Sequence, residues 1–369
     1  MSATSGFDLE RRAHRLVWYL GYFARRDVML YSDDKDQISD IDVIGINFDD
    51  TLSSHIILIE TKSEQGFSSI LKLRGLLDYY SSDVAYIIRP NVTPAIIRFA
   101  EQLGIRAMHT SRLDEIESEL KIDPKDWSLS FSLDFEKRYE GSLKVSRQLG
   151  LQYEILLRDM LWIDNNPFYK LKLLKDTLSN LYAKAEKIAN PGLRQSVAAL
   201  IIDLTTLFSV SVLQSAGILY PLPEHQRKSF FLEKLISGKL SSKEKEELLN
   251  RTYDFLSKYT RNVLHITPQI RKEDFELAPS YAPDLYDLLS RILKKAQSSK
   301  HLPRLFDIYL SIFTSRKELE LMDLQGFLNL SSDEFEYTLK FSRDIVYFLF
   351  DGKTPDFFVA LVTEKKFSL

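Results

Sequence analysis

Between Ile38 and Ser63 the chain reads ISDIDVIGINFDDTLSSHIILIETKS, two β-branched apolar runs joined by a short polar turn. A strand sends successive side chains to opposite faces. In the second run Ile56, Leu58, Glu60 and Lys62 therefore share one face, and Ile57, Ile59 and Thr61 the other. In the first, Asp40 and Asp42 lie opposite Ile41 and Val43. Pairing the two runs as a hairpin brings Asp42 beside Glu60, with the Lys62 ammonium one pleat further on.

The flanking segments are predicted in the same way. Leu9, Ala13, Leu16, Val17 and Leu20 recur at three- and four-residue spacings, which predicts a helix from Phe7 to Leu20 that Gly21 ends. Val28–Tyr31 is expected as a short strand, and Asp33–Asp36 as a solvated polar loop. Ile70, Leu73, Leu76, Leu77 and Tyr80 give a helix over 68–80. Val84–Ile88 is a continuous apolar run of a buried strand. Thr93-Pro94 opens a further helix that Gly104 closes, and Ile105–Met108 forms a last strand. The order α-β-β-β-α-β-α-β implies a right-handed crossover and a mixed sheet covered by helices, an α/β fold.

The character changes around Lys121–Trp127, where the first domain, 1–125, is expected to end. Three/four periodicity then predicts helices over 151–162, 169–188, 195–213, 230–235, 243–260 and 285–296, a mainly α-helical C-terminal domain spanning 126–300. Exposed faces such as Lys243–Glu247 mix charge signs and read as solvated. Residues 273–283 read as a connector. Over 301–369, helices at 305–313, 324–328 and 334–341 followed by strands at 345–350 and 357–362 predict a winged-helix-like module. Its third helix balances Lys340 and Arg343 against Asp333, Glu334 and Glu336, which suits packing or protein contact better than DNA reading.

At 369 residues, 44% hydrophobic and 27% charged, the chain suits two or three globular domains. The net charge of −3 and pI near 6.1 give no global attraction to nucleic acid. Residues 1–125 carry 15 Lys and Arg against 20 Asp and Glu, so phosphate contacts have to be local. The absence of cysteine excludes disulfides, thiolate zinc sites and thiol nucleophiles, and fits a cytoplasmic location. No leader-like apolar segment follows the N-terminus. Val197–Tyr220 is long enough to span a membrane, but Asp203, Gln214 and several Ser and Thr interrupt it, so a buried core helix or helix pair is expected. Phosphate-loop, dinucleotide and hydrolase-elbow motifs are missing. The six histidines show no i,i+4 pair suited to zinc, and His55 reads as an exposed strand-end residue.

Two carboxylates beside one lysine form a donor set for a hard divalent cation and the water it activates. An exposed hairpin with a cross-strand ion pair is the structural alternative, worth roughly 0–1 kcal/mol. At Asp42 in ISDIDVI and Glu60-Thr61-Lys62 in ILIETKS, the chain resembles the PD-(D/E)XK, or restriction-endonuclease-like, nuclease superfamily. The resemblance covers the first third and includes the αβββαβ element order. It implies a DNA phosphodiesterase dependent on Mg²⁺ or Mn²⁺. Asp42, Glu60 and the Thr61 carbonyl would hold the metal, Lys62 would position or activate water, and Glu10 would complete the shell. Lys72, with Arg74 nearby on the same helix, would touch phosphate. DNA is the expected partner, RNA a weaker one, and the helical region offers a surface for a protein partner or a second copy. A non-catalytic subunit keeping the same fold for binding or assembly is the alternative.

Overall fold

The computed structural model describes residues 6–31, 36–62, 67–80, 82–123, 129–163, 166–238, 242–263, 278–316 and 321–359. Helix α1 (Gly6–Tyr19) precedes strands β1 (Phe23–Tyr31), β2 (Gln37–Phe48) and β3 (Ser54–Thr61). Helix α2 (Ser68–Tyr80), β4 (Val84–Arg89), α3 (Pro94–Gln102), β5 (Ile105–His109) and α4 (Thr110–Glu119) follow. The five strands lie in sequence order in one mixed sheet. The pairs β1–β2 and β2–β3 are antiparallel, and β3–β4 and β4–β5 parallel. Each parallel pair is joined through a helix, as a crossover requires. Thr93 caps α3 through Ile96 N, with Pro94 in the first turn, as the sequence predicts.

The alternation sorts the sheet into two faces. Val43, Ile57, Ile59 and Ile88 pack beneath Leu9, Ala13, Leu16 and Val17 of α1. Ile44, Leu58 and Ile87 pack against Ile70, Leu73 and Leu76 of α2. Leu20 lies past the end of α1 and is exposed, so it is not part of the apolar stripe assigned to it. Gly45 permits the close approach of α1: a Cβ there would stand 2.6 Å from Val17 Cγ1.

The helical region comprises α5 (Leu133–Gln148), α6 (Gln152–Ile163), α7 (Pro167–Glu186), α8 (Pro191–Leu219), α9 (Glu224–Ser237) and α10 (Ser242–Asn262). It continues through α11 (Ala282–Leu293), α12 (Ala296–Ser299), α13 (Leu302–Ser315), α14 (Leu321–Leu328) and α15 (Ser332–Leu349). The 29-residue α8 is the axis on which α5, α7, α11 and α13 pack. By length and composition it could cross a membrane, but its most apolar 18-residue window is wholly buried in the protein. It is one helix, with Thr205, Thr206 and Ser211 donating to carbonyls one turn back. That bonding satisfies the hydroxyls that interrupt the apolar run.

The winged-helix expectation is corrected. Its three helices form, but residues 345–349 continue α15 instead of starting a strand, and residues 356–358 form a 3-10 turn. No strand occurs among the described residues of 301–359; residues 360–362, the end of the second expected strand, lie outside them. Ser331 and Glu334 make a reciprocal capping box at the start of α15. Ile345, Val346 and Leu349 stay on its buried stripe, so helical burial outweighs the β propensity of the run. Residues 124–127 of the boundary, 33–35 of the loop and 273–277 of the connector lie outside the described residues; 278–281 precede α11, which takes in Ala282 and Pro283.

Sheet and helices share one hydrophobic cluster, in which Trp18, Phe23, Ile46, Phe48 and Leu52 join the cores of α5 to α9 and α11 to α15. A buried ionic knot ties them together. Arg25 on β1 donates to Asp203 of α8 at 2.7 Å and to Asp307 of α13 at 2.5 Å. Tyr139 of α5 also donates to Asp203, and Ser130 to Asp307 at 3.0 Å. Arg25→Met strands two buried carboxylates and is expected to cost about 3–5 kcal/mol in urea denaturation. Combining it with Asp203→Leu and Asp307→Leu should restore most of the loss. At the other end of the interface α8 rides on the β2–β3 turn, where a Cβ on Gly217 would lie 2.2 Å from the Leu52 carbonyl oxygen. Gly→Ala inside a helix ordinarily gains about 1 kcal/mol. Gly217→Ala is expected instead to lose about 1–3 kcal/mol from the clash, and a stabilised variant would refute the contact.

Candidate active site

Three acids meet where β1, β2 and β3 run side by side. The β2–β3 register pairs Val43 with Ile59, and one step further sets Asp42 opposite Glu60. The β1–β2 ladder pairs Arg26 with Val43 and Val28 with Ile41, so Asp27 lies across from Asp42. Asp27 adopts a positive φ of 52° at that point, and the ladder is interrupted there. Asp42 and Glu60 are 3% and 0% exposed, which makes their charge expensive unless compensated.

Compensation comes from both sides. Thr61 donates to Asp42 Oδ2 through its backbone N–H at 2.7 Å and its hydroxyl at 3.0 Å. Lys62 Nζ lies 3.1 Å from Glu60 Oε1 and 3.7 Å from Asp42 Oδ2. Lys72, reaching in from α2, donates to both oxygens of Glu60 at 3.1 and 3.3 Å and to Asp40 at 2.9 Å. Burial works against the charge of both lysines. It is outweighed for Lys62 by Glu60 and Asp42, and for Lys72 by Asp40 and Glu60, so both hold their protons more tightly than usual. Glu60 still lies above the ordinary carboxylate range, because complete burial and the neighbouring Asp42 outweigh the two ammoniums. Asp40, sharing Lys72 at the rim, is held below that range despite partial burial.

The sequence-derived residues divide clearly. Asp42, Glu60, Thr61, Lys62 and Lys72 converge. Arg74 does not: it pairs with Asp78 at 2.8 Å and donates to the Leu103 carbonyl at 3.2 Å, on the far side of α2. His55 begins β3, roughly 17 Å along the strand from Glu60, between Asp49 and Asp83. Glu10, on α1, has its pKa raised to about 7, by burial first and then by the charges of Asp42 and Asp27. Among the described residues no three His, Asp or Glu side chains gather closely enough to chelate an ion unaided.

The donor set suits a hard cation that keeps most of its waters: two neighbouring carboxylates and no imidazole. Burial, and after it the neighbouring Asp42, disfavours the Glu60 charge even beside two lysines, and a bound cation would offset that cost. Three further residues border the site without having been picked out as functional. Asp40 was visible on the face shared with Asp42, and its role follows from Lys72. Asp27 becomes visible only once the β1–β2 register is known. Arg89, at the end of β4 beyond the Glu60–Ile87 pair, is buried and donates to the Ser69 hydroxyl. Burial lowers its pKa and the charge of Glu60 opposes that.

Comparison with known proteins returned no matching family model, no similar curated protein and no similar solved structure. Any functional reading therefore stands on the geometry above.

The raised pKa of Glu10 has a testable sign. In the folded state Glu10 keeps its proton to about pH 7, whereas unfolded it loses it near 4.5. The stability that this protonation gives is complete below about pH 4.5 and is lost as the pH climbs through about 7. In chelator-treated samples, wild-type stability should fall relative to Glu10→Gln across that window. Parallel pH profiles would show that Glu10 is not held protonated.

Proposed function

We propose that the protein is a metal-dependent nuclease that hydrolyses DNA phosphodiester bonds, with the restriction-endonuclease-like fold its α1–β4 order resembles. One observation carries the reading: Asp42 and Glu60, buried on neighbouring strands, share the Lys62 ammonium at 3.7 and 3.1 Å. Asp42 and Glu60, with the Thr61 carbonyl, would hold Mg²⁺ or Mn²⁺, which when bound supplies Lewis acidity and a more acidic water.

The chain's own residues would divide the remaining work. Lys62, held protonated by two carboxylates, acts as a fixed positive charge against the negative charge that develops on the phosphate. It is too firmly protonated to act as the base. Glu10, with its pKa near neutrality and close enough to feel Asp42, suits the role of proton acceptor for the attacking water. Lys72 fixes the Glu60 carboxylate by donating to both its oxygens, and Thr61 fixes Asp42 in the same way. Positioning by residues that are themselves immobilised limits the reorganisation needed during reaction.

The test is cleavage of plasmid and single-stranded DNA with Mg²⁺ or Mn²⁺. Asp42→Asn, Glu60→Gln and Lys62→Ala should each lower the rate by roughly 10²–10³-fold, and chelation should abolish it. Cleavage that survives chelation, or that persists in Asp42→Asn and Lys62→Ala, would remove this site from the chemistry.

A second reading is favoured by Lys72. Its bridge between Glu60 and Asp40, added to Lys62, gives the carboxylates a closed set of counter-charges with no ion required. A non-catalytic subunit that uses the fold for binding or assembly would need no more. Calorimetric titration with Mn²⁺ separates the two: heat lost in Glu60→Gln supports the nuclease, and no heat in either protein supports the subunit.

A further inference from the structure

Beside the carboxylate site, a cavity of about 290 Å³ opens between β1 and helices α5 and α6. Arg26 and Asp27 form its inner wall, and Asp27 is the residue across the ladder from Asp42, so cavity and site adjoin. Most of the charge lining it is already neutralised. Arg25 pairs with Asp203, Arg26 with Glu136 at 2.5 Å, and Arg158 with Asp159 at 2.8 Å. Lys144 and Arg147 differ. They lie one turn apart on the exposed rim of α5, and among the described residues neither has an ion pair within 4 Å, although Glu140, one turn before Lys144, lines the same rim. From Glu136, which holds Arg26, to Arg147 is roughly 16 Å along the helix, a span a nucleic-acid backbone covers in a few nucleotides.

The interior offers two complementary features. Its walls include the apolar surfaces of Tyr139, Leu143 and Trp162. His14, 3% exposed, also borders it. Burial, and then the Arg26 charge, lowers its pKa to about 3, so the ring is neutral. Its Nε2 lies 3.1 Å from the Ala24 carbonyl oxygen and must therefore carry the hydrogen. Nδ1 is left as a buried acceptor with no hydrogen-bond partner among the described residues. An apolar wall of Tyr139, Leu143 and Trp162, below a rim that carries Lys144 and Arg147 beside Glu140, matches a base attached to phosphates.

We propose that this cavity seats an unpaired nucleotide of the strand being cut, with Lys144 and Arg147 holding that strand's phosphates. The inference rests on the nuclease reading for the word "cut", and deepens it by naming single-stranded or locally unpaired DNA as the substrate. A base inside a duplex is engaged with its partner and its stack, so it cannot enter a pocket without first being extruded.

The experiment is fluorescence anisotropy of full-length protein with a labelled 20-nucleotide single strand, in chelator, at a series of salt concentrations. Lys144→Ala combined with Arg147→Ala should weaken binding on the order of tenfold and flatten the log–log salt slope by about 1.4, the loss of two single-strand phosphate contacts. Lys353→Ala, an exposed lysine elsewhere, should leave both unchanged. A blunt duplex and an abasic strand of equal length should each compete more weakly than the intact strand. Unchanged affinity and slope in the double variant, or equal competition by duplex or abasic strand, would overturn the proposal even if the carboxylate site cuts DNA. If the double variant weakens binding as expected but no substrate is cut, the strand-binding cavity stands and the nuclease reading falls.

Discussion

Two carboxylates buried within one cross-strand step of each other repel, and each has lost its hydration. Much of the first hundred residues can be understood as the answer to that problem. Asp42 and Glu60 could not both remain charged in an apolar sheet interior without counter-charge and donors. Thr61 turns its hydroxyl and N–H to Asp42 while Lys62, the next residue, reaches both acids. A second ammonium arrives from α2, placed by the packing of Ile70 and Leu73 on the sheet. Lys62 is itself anchored where β3 ends, its N–H donating to the Ile88 carbonyl of β4 at 3.1 Å. Electrostatics and topology thus support each other: the parallel β3–β4 pairing fixes the strand end from which the lysine extends.

A second buried ionic group has a different logic. Arg25 and its two acids lie between sheet and helices, where Tyr139 and Ser130 add donors to the two buried carboxylates. Such a knot contributes little net stability over a well-packed apolar substitute, but it is unforgiving of the loss of one partner. It fixes how the helical region sits on β1, and β1 also carries Arg26 and Asp27 at the border of the candidate site. The helical region therefore affects the site's geometry without contributing a side chain to the carboxylate pair. The wall it adds is the cavity beside α5.

How far the sequence could be read depended on whether a residue's role was set locally. Period-two alternation placed Asp42, Glu60 and Lys62 on converging faces because one hairpin contains all three. Lys72 stood out as a basic residue off the apolar stripe of α2. Arg74 looked equivalent in sequence, but two residues of helix rotate the side chain by about 200°, and it turns to Asp78. The N-terminal half of β1 is not legible because Arg25, Arg26 and Asp27 break its apolar pattern, and the two arginines have partners distant in sequence. Helix α5 escaped because its buried stripe is thin, Phe135, Tyr139 and Leu143 among charged neighbours. The expected terminal hairpin failed for the opposite reason, a strongly β-prone run held helical by its cap and its buried face.

The division of protonation states is what links the structure to chemistry. An active centre for hydrolysis near neutral pH needs one group that keeps its proton and one that can take a proton up, close together but differently surrounded. Lys62 sits between two carboxylates, which strengthen its hold on its proton. Glu10 lies under partial burial beside Asp42 and Asp27, which raise its affinity for a proton into the neutral range. The same acidic cluster therefore produces both effects, acting on a cation in one case and on an acid in the other. In the nuclease proposed above, Glu10 on α1 would be the group that takes a proton up and Lys62 the one that keeps it.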